Sequence, residues 1–112
     1  MSDCLFCKMV AGEITPSIVF EDDDVLAFND IQPQAPIHIL IIPKHHIATL
    51  NDLDNLLLLG KLMQTAAQLA KKLGIAEMGY RTVINCNALG GQAVYHLHVH
   101  LLAGRQMLWP PG

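Results

Sequence analysis

The chain of 112 residues has no long apolar run. Its most hydrophobic stretches, HILIIP and LLLLG, fall far short of the roughly 20 residues that cross a bilayer as a helix. A basic face is missing too. Seven Lys and Arg stand against ten Asp and Glu, for a formal charge of -3. The few cations are scattered, which argues against nucleic acid as a partner. The N-terminal stretch MSDCLFCKMV has neither the basic start nor the apolar core of an export signal. Cysteines number only three, an odd count that does not fit a disulfide framework. The expectation is a reduced, cytoplasmic protein in which Cys4 and Cys7 are thiols or metal ligands. Linkers, repeats and low-complexity segments are absent as well, so residues 1–112 are expected to form a single domain. Apolar residues make up 52% of the chain, enough for a core without covalent staples.

What is present reads as alternating strands around one long helix. Asp3 can cap a short helix from Cys4 to Ala11, ended by Gly12. SIVFE and VLAFND are strand-like runs joined by DDD, a hairpin. Pro33 and Pro36 mark a loop, and His38 to Pro43 is apolar enough for a central strand. A long helix follows, capped by Asn51 or Asp52 and closed by Gly74. Its expected core face is Leu56, Leu59, Met63, Ala66, Ala67, Ala70 and Leu73. Leu57, Leu58 and Leu62 widen that stripe and hint at a second buried surface, such as a dimer contact. YRTVINCN and AVYHLHVHLLA supply two more strands, and the paired prolines keep RQMLWPPG irregular. Five strands, one short helix and one long helix predict an α+β domain with an antiparallel sheet.

The chemistry concentrates in YHLHVH. On a strand, His96, His98 and His100 share a face with Leu102, while Tyr95, Leu97, Val99 and Leu101 point into the core. Neighbouring imidazoles on one face stand roughly 6.5–7 Å apart at the backbone. Three costly histidines on one face call for a function. Three ligands with an open position would make a catalytic zinc site. Alternatively, the central imidazole attacks an electrophile while its neighbours fix its tautomer. Spacing alone fits both. The preceding NCNALGGQ adds Asn85, a Gly90-Gly91 pair that lets backbone amides approach an anion, and the amide of Gln92. Together they suggest phosphate. Cys4-x-x-Cys7 has the spacing of a zinc half-site, and no strand precedes it as a redox pair would require. His45 and His46 lie just beyond the central strand.

These segments resemble a known family. GGQAVYHLHVHLLAGRQMLWPPG is similar to the signature of the histidine-triad (HIT) family, His-φ-His-φ-His-φ-φ with φ apolar. FNDIQPQAPIHILIIPKHHI resembles its preceding block and CLFCKMVAGEITPSIVFEDDDVLAF its N-terminal one, so the match spans nearly the whole chain. The resemblance is closest to the Hint branch of nucleotide-binding purine phosphoramidases. It implies a HIT-like domain that pairs as a homodimer through one ten-stranded sheet. It also implies hydrolysis of the P–N bond of purine nucleoside 5′-phosphoramidates, and of some acyl-adenylates, through a nucleotidyl-histidine.

Residue by residue, the resemblance makes His98 the nucleophile and His100 a phosphate ligand, with His38 and His96 completing the imidazole network. Asn85, Gly91, Gln92, Ala93 and the backbone near Val94 would cradle the phosphate. Asp30 would accept both ribose hydroxyls, beside Asn29, and Phe6, Met9, Phe28 and Ile31 would line the base slot. Trp109 would reach the partner's active site in the tail. Some relatives bind a structural zinc, and the corresponding set here is Cys4, Cys7, His46 and His96. The chain departs from the family pattern at Ala93, where many relatives carry Ser, at Ala103 for a common Gly, and at Leu108 for a residue often polar. The loss of a hydroxyl at Ala93 bears on rate and leaving group. Two competing functions remain at this point: a nucleotide-binding regulatory protein with incidental slow hydrolysis, and a hydrolase with zinc on the triad itself.

Overall fold

A computed structural model describes residues 3–112; Met1 and Ser2, and with them the first residues of the expected domain, lie outside the described residues. The elements run α1 (Leu5–Val10), β1 (Ile18–Glu21), β2 (Val25–Asn29), β3 (Ile37–Pro43), α2 (Leu56–Lys72), β4 (Arg81–Val83) and β5 (Val99–Ala103), with a 3-10 turn at Leu50–Asp52. The strands form one sheet in the order β1-β2-β3-β5-β4, each neighbouring pair antiparallel. The expected α+β class and antiparallel sheet are thus observed. The β1–β2 hairpin closes on Asp22, whose carboxylate accepts the amides of Asp24 and Val25, a use of Asp that suits tight turns. Its register slips between Ile18 and Phe20.

Both faces of the sheet are covered, which is why β2 and β3 read as continuous apolar runs rather than alternating ones. On one face Val25, Ala27, Ile39, Ile41, Leu97, Val99 and Leu101 pack against Leu62, Ala66 and Leu69 of α2. On the other, Leu26, Phe28, Leu40 and Ile42 pack against Phe6 of α1. Strand alternation therefore puts His38 on the α1 face with Leu40, and His98 and His100 beside it on the neighbouring chain segment.

Several local expectations shift. The cap of α2 is Asn55, which accepts the Leu58 amide. Asn51 and Asp52 instead belong to the 3-10 turn, where Thr49 and Asp52 form a capping box. The buried stripe of α2 is Leu62, Thr65, Ala66, Leu69 and Ala70, whereas Leu56 is 84% exposed. Four consecutive leucines carry no phase information. Thr65 helps set the phase, because its hydroxyl donates to the Lys61 carbonyl and so can be buried. Helix α1 is capped by the Cys4 sulfur rather than by Asp3. The strand expected over residues 93–103 joins the sheet only in its second half, β5 (Val99–Ala103), since the preceding backbone turns aside and Leu97 donates to the Ile47 carbonyl. Tyr95, expected in the core, is consequently exposed.

Candidate active site and metal centre

Four imidazoles gather on the α1 side of the sheet; three have their hydrogen placed by a backbone group, and the fourth, His100, by the side chain of His38. The His98 Nδ1–H donates to the His96 carbonyl at 2.7 Å. In the neutral ring Nε2 therefore carries the lone pair, and Phe6 braces the ring in a T-shaped contact at a centroid distance of 5.3 Å. A buried imidazole whose Nδ1 hydrogen is tied up in this way is held in the tautomer that offers Nε2 as a nucleophile.

His38 sits one strand away. Its Nδ1 accepts the Gln34 backbone N–H at 3.0 Å, so the ring hydrogen is on Nε2. That hydrogen is donated to His100 Nδ1 at 2.9 Å, which in turn leaves the His100 hydrogen on Nε2. Among the described residues, His100 Nε2 is the one buried side-chain nitrogen or oxygen without a hydrogen-bond partner. A buried donor without a partner is expensive unless a ligand supplies an acceptor. Burial, reinforced by His98 and His38 and opposed by Asp30, pushes the His100 pKa down to about 4. Burial likewise lowers His38, again against Asp30. Both are thus neutral near pH 7, as the chain of donors requires.

Asp30 follows β2 and closes on the same network. One carboxylate oxygen accepts the Gln32 amide, and the other lies 3.5 Å from His38 Nε2. Asn29 is exposed and bonded to Ser17. Phe6 and Phe28 meet edge-on at 5.4 Å with Met9 packed beside them. Ile31, next to Asp30 in the chain, is 91% exposed.

The loop before the triad is built differently from the expected open cradle. Gly91 N–H is spent on the Ala88 carbonyl and Gln92 N–H on that of Asn87. The buried Gln92 amide donates to the carbonyls of Ala48 and Val94 and accepts from Asn87 N–H. Gln92 thus serves as the internal brace of the loop. Gly90 is required by contact, since a Cβ there would lie 2.5 Å from the Cys86 carbonyl oxygen. Asn85 and Val94 are half-buried and Ala93 is exposed at the same rim.

His96 turns away from the other two histidines. Its Nε2–H donates to the Pro43 carbonyl at 2.8 Å, so Nδ1 is a lone pair, directed at Cys4 Sγ (3.4 Å), Cys7 Sγ (3.5 Å) and His46 Nδ1 (3.2 Å). Cys7 Sγ to His46 Nδ1 is 3.2 Å. Zn–N bonds of about 2.0–2.1 Å and Zn–S bonds of about 2.3 Å in a tetrahedron give edges of roughly 3.3 Å between nitrogens and 3.6 Å between nitrogen and sulfur. The four donor atoms therefore stand close to the corners of a zinc-sized tetrahedron, all within 4.8 Å of one another. The donor set fits a metal chemically as well. Burial raises the Cys7 thiol, and the neighbouring Cys4 raises it further, a cost that a divalent cation reverses. The imidazole at this corner is His46; His45 is not in the cluster. A second group, Asp30, His38 and His100, also converges, but it is already joined by hydrogen bonds. Among the described residues no cluster contains His98 or unites the three triad histidines, so the alternative of a three-histidine catalytic zinc is not formed.

Trp109 is 82% exposed; within one chain it lies over the Arg81 guanidinium, and Arg81 holds the Leu108 carbonyl. Sequence reasoning missed the groups that place the imidazole hydrogens: the Gln34 amide, the Pro43 carbonyl and the His96 carbonyl. These are backbone atoms, for which residue type gives no signal.

The family model for the HIT domain matches residues 11–107. A purine nucleoside phosphoramidase of Escherichia coli strain K12 is 50% identical over 94% of this chain and 90% of its own length. An Arabidopsis thaliana protein named adenylylsulfatase HINT1 is also 50% identical, over 99% of this chain and 78% of its own. A Brassica juncea protein named 14 kDa zinc-binding protein is 48% identical over 98% of this chain and all of its own. The crystal structure of a HIT family hydrolase from Legionella pneumophila superposes with a TM-score of 0.96 at 58% identity, covering 98% of this chain and all of that one. With the triad signature, the fold and these relatives in agreement, the chain belongs to the histidine-triad (HIT) family.

Proposed function

We propose that this protein hydrolyses the P–N bond of purine nucleoside 5′-phosphoramidates through a nucleotide covalently held on His98, the whole of residues 1–112 acting as one HIT domain. The observation that carries the reading is the pairing of a committed lone pair at His98 Nε2 with a partnerless donor at His100 Nε2. A phosphoryl group needs both, a nucleophile for phosphorus and a donor for the oxygen on which charge grows. His98 Nε2 attacks the α-phosphorus, the P–N bond to the amine breaks, and the amine departs with a proton taken from solvent, which the water of the second step returns. Water then attacks the same phosphorus, and the bond to His98 breaks to release the nucleoside monophosphate. Asp30 takes the ribose hydroxyls, and Phe6, Met9, Phe28 and Ile31 form the base slot. Asn85, Ala93 and Val94 frame the phosphate side, on a loop whose shape Gly91 and Gln92 hold from within. The relatives named for phosphoramidate and for adenylyl sulfate chemistry share a nucleotidyl group and differ in the leaving group, which supports a site that selects the nucleotide half.

In this reading Cys4, Cys7, His46 and His96 hold one structural zinc, a closed Cys2His2 set. Its support is the tetrahedral spacing of the four donors and the relative named for zinc binding. The protein acts as a homodimer in the cytoplasm.

The test is mass spectrometry of protein mixed with adenosine 5′-phosphoramidate and quenched under alkaline denaturing conditions. A nucleotidyl adduct on His98 is expected, and His98→Ala should lose it while still binding nucleotide. Turnover by His98→Ala within tenfold of the parent, a barrier change of only ~1.4 kcal/mol, would exclude the covalent route.

A further inference from the structure

The loop between β2 and β3 is held at its middle by a residue beyond β5. Arg105 donates from Nε to the Gln34 carbonyl at 3.0 Å. Next to it, Gly104 has a φ of +95° and lies so close to Pro36 that a Cβ there would meet the proline Cβ at 2.8 Å. The loop also closes on itself, with the Gln32 amide on the Asp30 carboxylate and the Gln34 side-chain amide on the Gln32 carbonyl. What this braced loop presents to the site is one hydrogen, the Gln34 N–H that His38 Nδ1 accepts.

We propose that Arg105 is a positioning residue for the reaction: by fixing Gln34 it sets the tautomer of His38, and through His38 that of His100, so that the His100 nitrogen facing the substrate carries a hydrogen. The two imidazoles have two self-consistent settings. In one, His38 donates from Nε2 to His100 Nδ1 and His100 Nε2 is a donor. In the other, each hydrogen sits on Nδ1, the bond between the rings runs in reverse, and His100 Nε2 offers a lone pair. Heavy atoms need not move between them. Only the first setting can donate to a phosphoryl oxygen; the second repels it. The Gln34 N–H, 3.0 Å from His38 Nδ1, excludes the second, because two hydrogens would face each other. Asp30, 3.5 Å from His38 Nε2, favours the same setting more weakly. The Arg105 bond is exposed, and loss of one such bond changes the population of the loop position it supports by on the order of tenfold.

This inference rests on the phosphoryl-transfer reading for its kinetic consequence and on the loop geometry for its structural one, and the test separates them. Histidine 15N–1H correlation spectra would be recorded near pH 7 for the parent, Arg105→Ala, Arg105→Lys and Gln34→Pro, with kinetics on adenosine 5′-phosphoramidate. The parent should show His38 and His100 as Nε2–H tautomers. In Arg105→Ala the ring nitrogens of both should shift together toward averaged values. Its kcat should fall in proportion to the lost population of that setting, by at most about tenfold, with KM changed less than twofold. Arg105→Lys, which keeps a donor within reach of the carbonyl, should recover both signals. Gln34→Pro deletes the amide hydrogen itself and should shift the same nitrogens if it folds. Unchanged ring nitrogens in Arg105→Ala overturn the proposal, whatever the rate does. A parent that fails to turn over the phosphoramidate but displays the tautomers and their shift would instead overturn the proposed function and leave Arg105 in its role.

Discussion

His100 shows how much of this site is decided below the level of residue type. Its spacing from His96 and His98 was legible in the sequence, and so was the choice between metal chemistry and nucleophilic chemistry as the question to ask. The answer lay in two carbonyls, at positions 43 and 96, that any residue could supply and an amide at position 34 that any residue but proline could. Ile31 is a second case, because an apolar letter after a strand does not say whether its side chain is buried. A pH prediction belongs here. The folded His100 titrates at about 4 against an ordinary value of 6.5, chiefly through burial. Between those values the unfolded chain binds more protons than the folded one. Stability is therefore fully present above pH 6.5 and is lost as the pH falls toward 4, with no further loss from this group below that. Burial lowers His38 and His96 as well, so they contribute in the same direction. Urea unfolding should give a lower midpoint at pH 5 than at pH 7, and His100→Gln should narrow the gap. An equal gap in that variant would show that His100 is not a source of the slope.

Helix α1 is the element with most to lose. Six residues are too few to be helical alone, so tertiary contacts must hold it. Phe6 anchors it among Leu26, Phe28, Leu40 and Ile42, and Cys4 and Cys7 anchor its start to His46 and His96. The expected consequence of Cys4→Ser/Cys7→Ser is loss of bound zinc and a lower melting temperature. Amide exchange should speed up over residues 5–10, while some activity persists. Metal analysis of unchelated parent protein well below half an equivalent of zinc would remove the basis for this. Because Phe6 also braces His98, the loosened helix should lower kcat more than a remote change of equal stability. At this scale the sequence was informative about which elements exist and poor on their limits. Leucines in succession hid the phase of α2, and the apolar alternation of residues 93–103 could not reveal that half of it leaves the ladder.

At the scale of the whole molecule, the two sides of the sheet's rim differ. Among the described residues strand β4 pairs only with β5, and Met78, Tyr80, Leu108 and Trp109 are exposed apolar side chains in chain segments next to it or held to it through Arg81. The proposed homodimer joins the molecule here. Sedimentation at micromolar concentration should give twice the chain mass of 12.3 kDa, and a monomer under those conditions would contradict it. Joining two sheets edge to edge carries a hazard, since each new assembly still has two rims that could recruit more copies. The slipped register between Ile18 and Phe20 in β1 bears on that hazard. A bulged rim twists away from a straight partner and mismatches its donors and acceptors. Growth should therefore stop after one pairing, and straightening that slip by redesign would turn a finite pair into a seed for fibres.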